Sequence, residues 1–152
     1  MEHKKFFFET SLVWKEKIAG AIVGSGTDET IEVATHLEFP DGEEGKWCPE
    51  SLFLAAISSC FMNTFLSLAK KNNLYFNKFR CYTAGEVEVI DRKAEFIRVE
   101  VFPEIHLMKE EQQLMAEEVL KLTEKQYFMG NAVKSKILIH HMISGRQELE
   151  VA

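Results

Sequence analysis

The chain has 152 residues, the length of one domain able to bury a core without disulfide or metal staples. Its 24 acidic against 18 basic residues give a net charge of −6, and the basic residues are scattered rather than striped, which argues against phosphate backbones and hence nucleic acid as partners. Three cysteines, Cys48, Cys60 and Cys81, cannot all pair within one chain and form no C-x-x-C, so a reducing, cytoplasmic setting is expected.

Lys4 and Lys5 precede Phe6, Phe7 and Phe8, but Glu9 cuts this apolar run far short of a secretory core, and no export signal is read. FFFETSLVW, AGAIVG and, past a turn at Ser25 to Glu29, TIEVATHLEF read as an antiparallel meander, with Ile31, Val33, Thr35 and Leu37 on one face at period two. PDGEEGK (40–46) is charged and turn-forming, an exposed connection and not a domain boundary. Leu52 to Ala69 is uncharged, introduced by Pro49 at a first helical position and Glu50 in the first turn, and closed by Lys70, Lys71, Asn72 and Asn73. It predicts one long helix. Its length reaches the lower limit for a membrane span, but Ser58, Ser59, Asn63, Thr64 and Ser67 within it and amphipathic flanks argue for no membrane partner. A helix apolar on nearly all sides is instead the buried centre of a domain or of a subunit interface.

FRCYTAGEVEVI and EFIRVEVFPEIHL read as paired strands joined through Asp91, Arg92 and Lys93, with Val87 and Val89, then Ile97, Val99 and Val101, on period-two faces. Pro103 is expected at a strand end or edge. Met108, Met115, Val119 and Leu122 mark an amphipathic second helix with Glu110 and Glu111 near its start; Gly130 and Asn131 are expected to end it through a left-handed residue. KSKILIHHMI is the last strand. Clustered strands around two helices predict an α+β fold, as a single domain over residues 1–152.

Cys60 lies deep in WCPESLFLAAISSCFMNTFLSLAKK. A free cysteine in such a place packs as a small hydrophobe, and the positive end of the helix is eleven residues away, so any activation comes from another segment. Pro49, Glu50, Leu52, Leu54, Ala55, Ala56, Cys60 and Phe61, together with the element order, resemble the central helix of the OsmC/Ohr superfamily, the osmotically inducible and organic hydroperoxide resistance proteins. That resemblance implies antiparallel sheets around a long central helix in a swapped, intertwined homodimer. It also implies peroxiredoxin-like, thiol-dependent reduction of organic hydroperoxides in an oxidative stress response, without a cofactor. In that chemistry a thiolate at the position of Cys60 attacks the peroxide and becomes a sulfenic acid, which a second cysteine converts to a disulfide. An Arg from the N-terminal hairpin and the Glu of the Pro-Glu pair, here Glu50, sit near the thiol.

Ten residues of helix separate Glu50 from Cys60 by about 15 Å, so Glu50 acts on Cys60 only across a dimer interface; otherwise it is a favourable acid in a helix's first turn. Two departures from the family pattern stand out. In EKQYFMGNAVKS, Asn131 and Ala132 align, and Tyr127 occupies the place of the second cysteine; a phenol cannot resolve a sulfenic acid. Cys48 lies roughly 18 Å from Cys60 along a helix, far beyond the limit of about 7 Å for a bridge, so only the partner subunit's Cys48 is a substitute. Cys81, among Phe79, Tyr82 and Thr83, reads as a packed or edge residue. The second departure is that no arginine precedes Arg80: the hairpin offers Lys15 and Lys17, whose default is surface solvation. Lys17, nearer Gly20, is the candidate to supply charge, though without arginine's planar fork. His140 and His141 are adjacent on a strand and point to opposite faces, and His36 and His106 lack a ligand partner, so no metal is assigned.

The leading expectation is a one-cysteine thiol peroxidase using Cys60, the partner's Glu50 and Lys17, reduced by an external thiol, with Phe53, Ile57, Phe61 and Met62 as an apolar mouth for hydroperoxides. The alternative is a non-catalytic dimeric binding or stress-associated protein that keeps the fold without the dithiol cycle. Acyl transfer at Cys60 is a weaker reading, because no histidine stands near it in sequence.

Overall fold

The computed structural model describes residues 3–145, so the two ends of the expected 1–152 domain lie outside the described residues. The chain forms two compact units, one reaching Phe53 and one starting at Leu54.

In the first unit β1 (Thr10–Glu16), β2 (Ala19–Gly24) and β3 (Thr30–Val33) form an antiparallel sheet in sequence order. Gly20 lets β1 come close, since a Cβ there would stand 3.0 Å from the Val13 carbonyl oxygen. Phe6, Phe7 and Phe8 precede the strand rather than opening it. β3 is also shorter than its pattern suggests. The backbone folds over at residues 36–42, where Phe39 N–H donates to the His36 carbonyl (2.9 Å) and Gly42 N–H to that of Phe39 (3.1 Å). Thr35 and Leu37 therefore leave the face that Ile31 and Val33 share. Asp41, at φ 63, and Gly42, whose missing side chain leaves room for the His36 carbonyl, make that turn possible.

Helix α1 runs Pro49–Lys71, as expected. Its end has a sequence cause: Asn73 takes the left-handed conformation at φ 51, Leu74 N–H donates to the Ala69 carbonyl (3.0 Å) and Asn73 N–H to that of Lys70 (3.3 Å). α1 is long and apolar enough to cross a membrane, but it buries a stripe of Ile57, Phe61, Phe65, Leu68 and Ala69 at helical spacing. Phe65 stacks on Phe79 at 5.1 Å and tilts against Phe76 at 5.4 Å.

Those two rings belong to β4 (Phe76–Ile90), which pairs antiparallel with β5 (Lys93–Leu107). The predicted hairpin turns at Asp91 and Arg92, both at positive φ, as a two-residue turn matched to strand twist requires. Along β5, Val99, Val101, Pro103, Ile105 and Leu107 are buried at period two. KSKILIHHMI forms two strands instead of one, β6 (Ile137–Ile139) and β7 (Met142–Ser144), both parallel to β5 and separated at His140 and His141. Pro103 consequently lies in the interior of a central strand and not at an end. The Val101 carbonyl accepts from His140 N–H at 2.8 Å, so the backbone of residue 103 faces the same side, where the break between β6 and β7 has no ladder for an N–H to join.

A 3₁₀ turn (Glu110–Gln112) leads into α2 (Gln113–Gln126), followed by the short α3 (Phe128–Ala132). The buried face of α2 is Ala116, Val119, Leu120 and Thr123; Met108 and Leu122 are exposed, so the spacing that predicted the helix tracks its flank. Gly130 and Asn131 sit inside α3, and α2 ends at the extended backbone of Tyr127. The elements are α+β.

Candidate functional site

Cys60 is a half-buried free thiol on α1. Its carbonyl accepts the Thr64 hydroxyl at 3.1 Å, so that polar side chain is absorbed by the helix backbone. Phe61, the next residue, is fully buried and meets Tyr127 edge-on, with ring centroids 5.4 Å apart and planes at 67°. Tyr127 is itself only 4% exposed. Burial raises its phenol pKa above the ordinary value, and the charges of Glu124 and Cys60 push the same way. Tyr127 is therefore a buried, neutral phenol packed against Phe61.

Gly130 completes this arrangement: a Cβ there would stand 2.6 Å from Tyr127 Cε1 and 2.8 Å from its hydroxyl oxygen. The Phe61–Tyr127–Gly130 stack is absent from the sequence reading. Its only sequence signal is an aromatic followed three positions on by glycine, in YFMG.

Glu50 occupies the first turn of α1, where the helix dipole favours it, and its Oε2 is shut off from solvent with no hydrogen-bond partner among the described residues. The unbroken helix keeps it about 15 Å from Cys60 of the same chain. Lys17 holds φ 47 in the β1–β2 turn, its carbonyl accepting the Trp14 indole N–H at 3.1 Å. It is exposed and lines a cleft of about 670 Å³ with Glu16, Ile18, Asp41, Gly42 and Glu43. Lys46, bonded to Glu43 at 2.7 Å, lowers that carboxyl's pKa, and the charge of Lys17 adds slightly. Lys15 is exposed on β1. Lys17 and Glu50 belong to the first unit and Cys60 to the second.

Of the expected apolar mouth, Ile57 and Phe61 are fully buried core residues, because they lie on the inward stripe of α1; Phe53 and Met62 are half-buried. Cys48 is buried, its sulfur 3.1 Å from the Ser51 hydroxyl. Cys81 is half-buried on β4, and burial raises its thiol pKa. His140 stacks on Phe102 at 4.9 Å in the break between β6 and β7, and His141 lies 4.0 Å from Glu124.

The family model described as OsmC-like protein matches residues 41–141. Among solved structures, an OsmC-like protein of unknown function from Vibrio cholerae aligns at 22% identity and TM-score 0.78, covering 91% of this chain and 100% of that one. An OsmC-like protein from Mycoplasma pneumoniae aligns at 15% identity and TM-score 0.76, covering 93% and 99%. An organic hydroperoxide resistance protein from Elizabethkingia anophelis aligns at 15% identity and TM-score 0.72, covering 95% and 100%. At such identities the likeness is one of fold. No curated protein sequence matches. The matched family segment takes in α1 with Cys60, the β4–β5 hairpin, α2 with Tyr127, and β6, more than half of the chain: the protein belongs to the OsmC-like family.

Proposed function

We propose that this protein reduces organic hydroperoxides through one cysteine, Cys60. The observation carrying the proposal is the half-buried free thiol of Cys60 on α1, in an OsmC-like chain whose structural neighbours include an organic hydroperoxide resistance protein. The Cys60 thiolate attacks one peroxide oxygen, the O–O bond breaks, and the alcohol leaves after taking a proton. Cys60 is then a sulfenic acid. An external thiol attacks that sulfur and releases water, and a second external thiol cleaves the mixed disulfide to restore Cys60.

The partner subunit's Glu50 and Lys17 act on this thiol in a swapped homodimer. Supporting the dimer, every residue of β1 is exposed, with Leu12 at 62% and Trp14 at 70%, an apolar surface that one chain leaves uncovered. The unpartnered Glu50 Oε2 fits a carboxylate whose partner comes from another chain. The free thiols fit a reducing cytoplasm and an external reductant.

Purified protein mixed with tert-butyl hydroperoxide and either dithiothreitol or a lipoylated carrier should consume peroxide catalytically, and Cys60→Ser should abolish this. No turnover, or turnover unchanged in Cys60→Ser, would contradict the proposal. Tyr127 in the second-thiol position favours one competing reading, a dimeric binding protein without turnover. Under that reading an apolar ligand co-purifies and Cys60 stays reduced in peroxide.

A further inference from the structure

The outer face of the β4–β5–β7 sheet carries a hydrogen-bonded series that neither Cys60 nor its chemistry uses. β5 places Glu104 and His106 two residues apart, hence on one face, and β7 sets Ser144 directly opposite His106. Ser144 Oγ lies 3.0 Å from His106 Nδ1, and His106 Nε2 lies 2.7 Å from Glu104 Oε1; because a carboxylate only accepts, a neutral imidazole here donates from Nε2 and accepts the Ser144 hydroxyl at Nδ1. From β4, Arg80 lies opposite Glu104 and its Nη2 donates to both carboxylate oxygens, at 3.2 and 3.1 Å. The order is hydroxyl, imidazole, carboxylate, with the carboxylate fixed from its far side. This tautomer leaves the lone pair of Nδ1 pointing at the serine hydroxyl, which is how a base activates a nucleophilic oxygen.

A cleft of about 500 Å³ opens on the same sheet and shares Arg80 and Glu104 with the series. Its apolar walls are Tyr82, Phe102 and Met142. Met142 precedes Ser144 by two residues on β7, so the two share a face about 7 Å apart along the strand. Tyr82, Phe102 and His140 form a row of rings, at 5.8 and 4.9 Å between centroids, across its floor. Glu104 and His106 are about one-fifth exposed at the side chain, open enough for a small molecule and dry enough to hold their geometry.

We propose that Ser144 is the nucleophile of a second, ester-hydrolysing site, with His106 as its base, Glu104 orienting the imidazole, and the Tyr82–Phe102–Met142 cleft receiving the apolar part of a small carboxylic ester. The Ser144 oxygen bonds to the ester carbonyl carbon as its proton passes to His106 Nδ1. The carbon–oxygen bond to the alcohol breaks, and the alcohol leaves with that proton. Water then gives a proton to Nδ1 and its oxygen to the acyl carbon. The serine–acyl bond breaks, the acid leaves, and Ser144 recovers its proton. The sum is ester plus water to acid plus alcohol, with no change of oxidation state.

The test uses the whole chain in a Cys60→Ser background, so that acylation of that thiol cannot contribute, with p-nitrophenyl butyrate as ester and a fluorophosphonate as covalent probe. The expected results are release of p-nitrophenolate and a fluorophosphonate adduct mapped by peptide mass spectrometry to Ser144. Release should fall by about a hundredfold or more in Ser144→Ala and His106→Gln, a loss typical of removing a nucleophile or its base. An adduct on any other residue, no adduct, or undiminished hydrolysis in a folded Ser144→Ala overturns the proposal. Mapping on the unsubstituted Ser144 decides the matter even where the variants fail to fold.

Discussion

The ring of Tyr127 lies so close to Gly130 that a Cβ at 130 would stand 2.8 Å from the phenol oxygen, and it meets the ring of Phe61, the residue after Cys60, at 67°. This packing explains why α2 stops at Tyr127: the side chain is buried, and its backbone is extended at ψ 128. Gly130→Ala should therefore destabilise the protein by about 1–3 kcal/mol in urea unfolding, the usual cost of overpacking. Combined with Tyr127→Ala, it should cost less than the sum of the two single changes, because the clash is with that ring. Additive effects would show that the ring does not depend on Gly130.

Tyr127→Cys puts a thiol at the position to which the resemblance to the OsmC/Ohr superfamily assigns a second cysteine. Removing a buried aromatic should cost about 3 kcal/mol, so the variant needs mild temperature. On adding one equivalent of tert-butyl hydroperoxide, it should form a disulfide between Cys60 and the introduced thiol, read by mass spectrometry as loss of two hydrogens, where the parent chain forms none. Persistence of a free sulfenic acid in this variant would mean that a side chain at position 127 does not reach Cys60.

The raised phenol pKa of Tyr127 has a thermodynamic signature. The folded state holds the proton more tightly than the unfolded chain, whose tyrosine titrates near 10. Stability is thus full below pH of about 10 and falls as pH rises from there through the folded value. Tyr127→Phe has no proton to lose. Its stability should decline less over that alkaline range, as measured by urea midpoints. Parallel declines in the two proteins would contradict the assignment of a buried, perturbed phenol.

Sedimentation equilibrium should give twice the chain mass. The paired change Leu12→Lys and Trp14→Glu on the uncovered strand β1 should shift the protein toward monomer and lower peroxide turnover together. A monomeric parent protein that retains turnover would remove any role for the partner's Glu50 and Lys17.

Much of this architecture was legible in the chain because local chemistry decided it. Pro49 and Glu50 open α1, Asn73 closes it, and Asp91 with Arg92 supply the positive φ angles of the β4–β5 turn. Other expectations failed where distant contacts decided. β3 stops at Val33 because the backbone folds back at 36–42, which period-two alternation cannot register. Pro103 is tolerated inside β5 only because β6 and β7 leave a gap beside it, and the buried face of α2 is set by neighbours rather than by its methionines. Near the candidate site, the placing of Cys60 well inside α1 was readable from the uncharged run that follows Pro49 and Glu50. The Gly130 cradle and the placing of Ser144 against His106 required the fold, since each joins residues through a bend or a strand register.

Trapping the oxidised thiol tests the central claim most directly. Protein treated with one equivalent of tert-butyl hydroperoxide in the presence of dimedone should carry one adduct per chain, mapped to Cys60, with Cys48 and Cys81 unmodified. A Cys60 that remains a free thiol under these conditions, or an adduct confined to Cys48 or Cys81, would contradict a peroxide-reducing role for Cys60.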